Sequence, residues 1–443
     1  MFEAIKIVVA LCVLGFAINS FARQRPSMAL RLLFILLFSR FVLASLHQYT
    51  YPPIVGPLSL ISFASIASVA LCFVVLPLVK PRGRSSFVIS KSLIAIYCFI
   101  ALMLVSTLVN GQFKAGLPSL IKWVYLLQLV TLMGYALTND GLQKTLRFML
   151  VAYSFPIIML LFSIALGVSK KTELDGSTSF VGGFFHEAVF STIVFTAAFF
   201  AATYVRKFSK PKGLSILAVL LVSFVLMAFV NYRTAIIAFV AMASVLAFAS
   251  FKRAGAAQKM LMGIGVLCVT LWLATVDTEK FGDRFADLPN AYHNAAQLIT
   301  YPENYTRDDR RLFSGRLFMW SGYISEANQG TDLQILIGQG MGSWKDYFEK
   351  YAHNTFVSFY FELGLLGVFL CAAIFYGVYR RLGNLPDVDV RTCGMGFLFG
   401  FFILNMGTMP MWSMEGIYCL AFLIALARTG KVARRPMQQG AVA

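Results

Sequence analysis

Long apolar segments recur along the whole of this chain, and they limit what it can fold into. A helix needs about 20 predominantly apolar residues to cross ~30 Å of hydrocarbon. With 58% hydrophobic and 13% charged residues, the chain has too few polar side chains to cover a soluble core of its size. We therefore predict an all-α polytopic membrane protein. The predicted spans are residues 4–21, 28–47, 57–78, 91–109, 119–138, 148–168, 184–204, 214–230, 234–251, 260–276, 354–378, 392–408 and 412–428. Because the first segment is short and a break at Pro410 separates the last two, the prediction is 12–13 transmembrane helices.

The basic residues behind the net charge of +18 are distributed according to these predicted spans. Basic residues concentrate in alternate connections, and the connections between them hold few. The basic clusters lie within residues 23–31, 80–91, 144–147, 206–212, 252–259, 380–391 and 428–435. This is the positive-inside pattern, which predicts an external N-terminus and a cytoplasmic C-terminus. The charge is therefore explained by topology and predicts no nucleic-acid partner.

One connection is much longer than the others and divides the chain. Residues 277–353 follow a predicted N-terminal bundle of about ten helices (1–276) and precede the C-terminal spans (354–428) and a basic cytoplasmic tail (429–443). Topology places this loop outside, and its many aromatic and aliphatic residues predict that it is ordered. Within it, residues 314–328 predict an amphipathic helix with Ser314 as N-cap. Residues 335–344, ILIGQGMGSW, predict a glycine-rich turn that is weak as a phosphate-binding motif.

Three basic residues fall near the outer water–lipid boundary of this topology: Arg233 in a short connection, Arg316 in the loop helix and His353 where the loop re-enters the membrane. Each has a structural interpretation. On this interpretation Arg233 is a snorkelling arginine, Arg316 is a solvated charge, and His353 is a helix-flanking residue beside the N-cap Asn354. Each also has a functional one. Charges at a membrane boundary usually have a purpose, a helix N-terminus with a guanidinium can bind an anion, and histidine is the usual general base.

Other polar residues are candidates of lower specificity. Glu362 lies about nine residues into a span, so its carboxylate should face the bundle interior or a wet cavity, or be a structural hydrogen-bond partner. His186 and Glu187 form a polar pair at the outer start of another span. No H-E-x-x-H pattern follows them, so a structural or substrate-lining role is favoured over metal binding.

These motifs, in this order, resemble the C-terminal half of the O-antigen ligase and Wzy polymerase superfamily. The resemblance covers about residues 230–370 and rests on four elements. They are NYRTAIIAF (231–239), SGR-x₃-W (314–320), G-x-G-x-G (338–342) and HNTFVSFYFELGLLG (353–367).

The resemblance implies a metal-independent, inverting GT-C-type glycosyltransferase of the bacterial inner membrane, with its active site facing the periplasm and with no cofactor. Its donor would be an oligosaccharide on undecaprenyl diphosphate, and its acceptor a hydroxyl of another glycan or of the lipid A core. Membrane lipids and, for a polymerase, a chain-length regulator are the other implied partners. The implied catalytic residues are His353, Arg316 and Arg233. The substrate-binding candidates are Arg233, Arg316, Arg311, Asn354, Glu362, His186 and Trp320.

Three functions remain open at this point. A Wzy-type polymerase of O-antigen or exopolysaccharide is favoured because that branch is the more numerous, and an O-antigen ligase of lipopolysaccharide synthesis is the alternative. A lipid-linked glycan transporter is the third. Transporters typically carry internal repeats and polar residues near the bilayer midplane, whereas the candidate residues here lie near the outer face.

Overall fold

The structure is a computed structural model, and it describes residues 1–56, 58–79, 93–171, 178–209, 212–252, 255–256, 259–260, 263, 301–307, 309–310 and 315–429. Within these ranges it is almost entirely helical. The α-helices are α1 Phe2–Gln24, α2 Met28–Ser45, α3 His47–Thr50, α4 Leu60–Val75, α5 Ile94–Val109, α6 Phe113–Asn139, α7 Gly141–Ala165, α8 Glu187–Phe208, α9 Lys212–Val230, α10 Arg233–Phe251, α11 Arg316–Asn328, α12 Asp332–Ile337, α13 Trp344–Tyr347, α14 Thr355–Gly383, α15 Val388–Gly407 and α16 Met414–Thr429. Short 3₁₀ helices occupy Pro302–Asn304 and Pro410–Trp412, and two small antiparallel pairs join Pro53–Val55 to Leu58–Ser59 and Lys170–Lys171 to Thr178–Ser179.

The predicted fold class is confirmed: the chain is an all-α polytopic membrane protein. Eight of the described helices are long and apolar enough to cross a membrane, namely α1, α2, α6, α7, α8, α10, α14 and α15. Helices occupy twelve of the thirteen predicted spans, and the 3₁₀ helix at Pro410–Trp412 keeps the last two apart. The remaining predicted span, 260–276, lies outside the described residues apart from positions 260 and 263. Most of the predicted basic tail and residues 277–300 of the loop also lie outside them.

The connections between helices lie at two opposite ends of the helical bundle, as expected when successive spans cross the membrane in opposite directions. At one end, which we call the site end, Arg316 of the loop contacts Thr234 in the first turn of α10, and Asn110 after α5 donates to Gly338 O at 3.0 Å. Residues of the opposite end pair with each other. Ser27 N donates to Asp140 Oδ1 at 3.0 Å, and Arg206 Nε to Asp389 Oδ1 at 3.2 Å. This is the partition that the charge pattern predicts, and the assignment of the site end to the outside remains a prediction.

The core of the bundle surrounds α16, which is buried from Met414 to Arg428. Aromatic rings fill the space between neighbouring helices; Phe199 of α8 stacks on Phe397 of α15 with ring centroids 3.9 Å apart. Ion pairs stabilise charges inside the bundle, where the low dielectric of a membrane makes an isolated charge costly. Arg40 Nε of α2, for example, lies 2.8 Å from Glu415 Oε1 of α16.

Helix α14 is kinked where the long loop meets it. Gly364 has a φ of 63° and a ψ of −164°, which interrupts the helical hydrogen bonds. The turn after α12 accordingly inserts there: Gln339 N donates to Phe361 O at 2.9 Å and Gly340 N donates to Glu362 O at 3.0 Å. The approach is so close that a Cβ on Gly338 would lie 2.2 Å from the carbonyl carbon of Glu362. The predicted turn thus exists, but its first residues, 335–337, belong to α12.

Candidate functional site

The connection between α9 and α10 contains only two residues and is held by the long loop. Asn231 adopts a left-handed φ of 54°, Tyr232 is the N-cap of α10, and Arg233 is the first helical residue. Arg316 reaches this hairpin: its Nη1 donates to Thr234 Oγ1 at 2.7 Å and its Nη2 to Tyr232 Oη at 3.1 Å. The two partners of Arg316 therefore flank Arg233 in the sequence, which places Arg316 at the start of the helix that carries Arg233.

Helix α11 starts later than predicted. The predicted N-cap at Ser314, which itself lies outside the described residues, is wrong. The N-cap is Gly315 with a left-handed φ of 77°, and no side chain of the described residues caps the helix. Glycine takes this conformation without the steric cost that a Cβ brings. A cation in the first turn opposes the helix dipole, but the guanidinium of Arg316 leaves that turn to bind the α9–α10 hairpin.

The predicted substrate-binding residue Trp320 has a structural contact in this arrangement. Its indole Nε1 donates to Ala352 O at 2.7 Å, directly before His353. One turn later, Tyr323 Oη donates to Lys350 O at 2.8 Å. Helix α11 therefore holds residues 350–352 by their backbone and fixes where His353 enters the site end.

His353 has an unusual backbone and an unpaired nitrogen. Its φ is 51°, a left-handed value that few non-glycine residues adopt. Its ring packs on Tyr351 with centroids 4.0 Å apart, and its buried Nδ1 has no hydrogen-bond partner in the part of the chain that the structure describes. Burial, followed by the positive charge of Arg316 and smaller contributions from His186 and Lys350, lowers the pKa of His353 to about 4. The imidazole is therefore neutral at physiological pH and can accept a proton or a hydrogen bond.

Asn354 is the N-cap of α14, as predicted. Its Oδ1 accepts from Phe356 N at 2.9 Å and from Val357 N at 3.2 Å. The next residue, Thr355, donates from its hydroxyl to Asn405 Oδ1 at 2.7 Å and so joins the start of α14 to α15. The carbonyl of the Asn354 side chain is thus occupied by capping, and the cap helps to fix the neighbouring His353.

His186 lies in the same cluster, because its charge contributes to lowering the pKa of His353. It is the N-cap of α8, and its Nδ1 accepts from Ala188 N at 3.1 Å. Beside it, Glu187 pairs with Lys170 Nζ at 3.5 Å. The sequence pair His186–Glu187 thus contributes polar side chains to the site end, within electrostatic range of His353.

Glu362 is fully buried and has structural contacts with both carboxylate oxygens. Oε2 accepts from Gly342 N and Oε1 from Ser358 Oγ, both at 3.2 Å. Of the two interpretations that the sequence allows, these contacts favour the hydrogen-bond partner. The carboxylate fastens the glycine-rich turn to α14.

The glycine-rich turn offers no free N–H groups to an anion. Gln339 N and Gly340 N donate to backbone carbonyls of α14. Gly338 N donates to Gln334 O at 2.7 Å, Met341 N to Thr107 Oγ1 at 3.3 Å and Gly342 N to the Glu362 carboxylate. A phosphate-binding loop needs such groups to point at its ligand. The turn is therefore a structural connection, and Arg311, the last predicted binding residue, lies outside the described residues.

Two tyrosines belong to the site end that sequence reasoning did not single out. Tyr232 lies under Arg316, with its ring centroid 5.8 Å from the guanidinium carbon, and Tyr351 packs on His353. Burial raises the pKa of Tyr232, and it raises the pKa of Tyr351 to about 12, so both phenols stay neutral. The signal available in the sequence was proximity: each tyrosine lies within two residues of a predicted catalytic residue.

An apolar cleft of about 410 Å³ lies between α7, α8 and α9. Its lining includes Val194 and Ala201 of α8, and Ala218 and Leu226 of α9. At the site end, α8 begins after its N-cap His186, and α9 ends at the hairpin that Arg316 binds. Since Leu226 lies four residues before the end of α9 at Val230, the cleft begins about 6 Å below the hairpin that Arg316 binds.

The search for relatives identifies none: no family model matches the chain, and no curated protein matches it.

Proposed function

We propose that this protein is a membrane glycosyltransferase that moves a glycan from undecaprenyl diphosphate to an acceptor hydroxyl at the outer face of the cytoplasmic membrane. The observation that carries the proposal is the contact of Arg316 with the two residues flanking Arg233, beside a neutral His353. Guanidinium groups together with a neutral imidazole are what this reaction requires. The motif resemblance names the donor and the acceptor.

Transfer replaces the bond between the anomeric carbon and the diphosphate oxygen by a bond to the acceptor oxygen. The departing lipid diphosphate takes the bonding electrons, and Arg233 and Arg316 stabilise the charge that develops on it. The acceptor hydroxyl loses its proton, which His353 accepts. Attack from the face opposite the leaving group inverts the anomeric centre, and the arginines supply the positive charge, so the proposed reaction is metal-independent.

The low pKa of His353 suits a base that is activated by its donor. In the free protein, burial and the charge of Arg316 hold the pKa at about 4, which makes the imidazole a weak base. A bound diphosphate brings negative charge next to Arg316 and opposes that effect. Binding of the donor therefore raises the pKa of His353 and makes the imidazole a stronger base.

The cleft between α7, α8 and α9 supports a lipid-linked donor. Its lining is mostly apolar, and two of its residues, Ala218 and Val222, are exposed on the membrane-facing side. A lipid whose diphosphate binds Arg233 and Arg316 would extend its chain downward along α8 and α9. The two arginines, Arg233 and Arg316, which we call the cationic cluster, thus suit the diphosphate of such a donor, and the apolar cleft suits its lipid chain.

Within this reaction class we favour a Wzy-type polymerase, which extends a second lipid-linked glycan, over an O-antigen ligase. Both would act in the bacterial inner membrane with the site end in the periplasm, and a polymerase would have a chain-length regulator as partner. A deletion strain distinguishes the two. Loss of a polymerase leaves single repeat units on the lipid A core, whereas loss of a ligase leaves none.

The test is transfer by the purified protein in lipid vesicles that contain the undecaprenyl-diphosphate-linked repeat unit. We expect Arg233→Ala, Arg316→Ala and His353→Ala to fold and to lose glycan transfer. Arg307→Ala, which removes an exposed arginine of the same loop, is the matched control and should retain it. Full transfer by one of the three variants would remove that residue from the mechanism. Movement of the lipid-linked glycan across the vesicle without any new glycosidic bond would support a transporter instead.

A further inference from the structure

We propose that residues 333–342 of the long loop are seated in the hydrocarbon of the membrane leaflet at the site end, with Leu333 and Leu336 in contact with lipid. The loop that carries Arg316 and His353 would then be anchored in the bilayer rather than lying entirely in water above it. This inference goes beyond glycan transfer and does not depend on it.

The first argument is depth. Helix α14 is 29 residues long, which exceeds the ~20 residues that cross the hydrocarbon. Arg380 and Arg381 in its last turn mark one boundary, and about 20 residues back from them the other boundary falls near Tyr360. Gly364, where the turn inserts, therefore lies about 6 Å inside the hydrocarbon.

The second argument is the end of the neighbouring helix α5, which closes at Val109 beside the turn. Its membrane-facing side chains stay apolar up to Leu108 and Val109, each 56% exposed. The polar connection that follows therefore lies at the depth of the leaflet, where Asn110 needs internal partners. The loop provides them: Asn110 Nδ2 donates to Gly338 O at 3.0 Å, and Gln334 Nε2 donates to Asn110 Oδ1 at 3.2 Å.

The third argument is the backbone of the turn itself. Irregular backbone is tolerated at membrane depth only where its polar groups are satisfied within the protein. Every N–H from Gly338 to Gly342 donates to a protein acceptor. No Asp, Glu, Lys or Arg occurs between Asp332 and Lys345, so the segment carries no charge into the leaflet.

The fourth argument is the exposed surface. Leu333 and Leu336 are 51% and 44% exposed on α12. Helix α12 packs against α14, whose Leu365 and Phe369 are also exposed, at 53% and 68%. Together these side chains continue the lipid-facing surface of a spanning helix across part of the loop. The occupant of this surface is therefore the same lipid that surrounds α14.

The experiment places single cysteines in a cysteine-free background, attaches nitroxide labels, and reconstitutes the protein in vesicles. Leu336→Cys and Leu333→Cys test the segment; Phe369→Cys is the lipid-facing control and Gln329→Cys the water-facing one. Collisions with oxygen, which concentrates in lipid, are compared with those of a water-soluble nickel chelate. We expect the labels at positions 333 and 336 to behave like the label at position 369, with oxygen collisions exceeding those of the chelate.

Two results would overturn the proposal. If the chelate collides with the label at position 336 as often as at position 329, the segment lies in water. If both reagents collide rarely, the surface is covered by protein, such as a second copy of this chain. All four positions are exposed, so labelling them removes no buried contact and does not threaten folding. Loss of glycan transfer would leave these outcomes unchanged.

Discussion

The Nη1 of Arg316 donates to Thr234 Oγ1 at 2.7 Å across 82 positions of the chain. This bond joins the first residue of α11 to the first turn of α10. It holds one proposed diphosphate-binding arginine at the start of the helix that carries the other, Arg233.

Replacing Thr234 by valine keeps the shape of the side chain and removes the acceptor. Since a hydrogen bond to a charged group contributes about 1.5–3 kcal/mol, we expect KM for the lipid-linked donor to rise about tenfold or more. The measurement is initial rates of transfer in vesicles at varied donor. Thr234→Ser retains the hydroxyl and should behave as the unaltered protein. An unchanged KM in Thr234→Val would show that the bond does not position Arg316 for the donor.

The pKa of His353 should respond to Arg316. The folded protein holds this pKa at about 4, below the ordinary 6.5, so the imidazole is neutral at all pH values above about 4. Removing the neighbouring positive charge in Arg316→Gln lowers the cost of protonation, so the pKa rises toward 6.5. Lys350→Gln removes a smaller contribution and should raise it less. Nuclear magnetic resonance of histidine-labelled protein can follow the titration, because the chain has only four histidines. Equal pKa values in the unaltered protein and Arg316→Gln would contradict the arrangement.

Local signals in the sequence predicted local structure well. The apolar segments predicted helices, and Asn354 before an apolar run predicted an N-cap that the structure contains. The cap at Ser314 was wrong although the reasoning was the same, because a left-handed glycine at position 315 begins the helix instead. A capping side chain and a left-handed glycine are alternative ways to start a helix, and residue type alone does not decide between them.

Contacts between distant segments were not predictable from the sequence. Neither the bond from Arg316 to Thr234 nor the insertion of the turn at Gly364 has a periodic or compositional signal. The apolar run of α14 continues through Gly364, so its pattern predicts an unbroken helix. The non-helical backbone of Gly364 frees the carbonyls of Phe361 and Glu362, and Gln339 N and Gly340 N of the turn donate to them.

Glu362 provides a test of its structural role against a substrate-binding one. Glutamine has the same shape, and its amide can accept from Gly342 N and donate to Ser358 Oγ, the two groups that the carboxylate now contacts. We therefore expect Glu362→Gln to keep transfer close to that of the unaltered protein. Glu362→Ala leaves the buried Gly342 N–H without an acceptor and should be less stable, by about 1–3 kcal/mol. Thermal unfolding in detergent together with transfer rates measures both. A stable Glu362→Gln variant without transfer would assign the carboxylate to the reaction.

The cleft between α7, α8 and α9 predicts a dependence on the length of the donor lipid. Ala218 is exposed in the cleft, so Ala218→Phe fills part of it without disturbing the core. The surrounding lipid is as apolar as the cleft. The lipid chain of the donor therefore gains packing contacts in the cleft rather than hydrophobic transfer energy. We accordingly expect KM for the long-chain donor to rise by only about threefold to tenfold, or ~0.6–1.4 kcal/mol.

A donor with a lipid too short to reach the cleft is the sharpest comparison for this variant. Its KM should be the same for Ala218→Phe and for the unaltered protein, because its diphosphate still binds Arg233 and Arg316. Ala67→Phe adds the same ring to an exposed alanine of α4 and should change KM for neither donor. If Ala218→Phe raises KM equally for both donors, the ring disturbs the cationic cluster itself. If it changes neither, the lipid chain follows another path along the bundle.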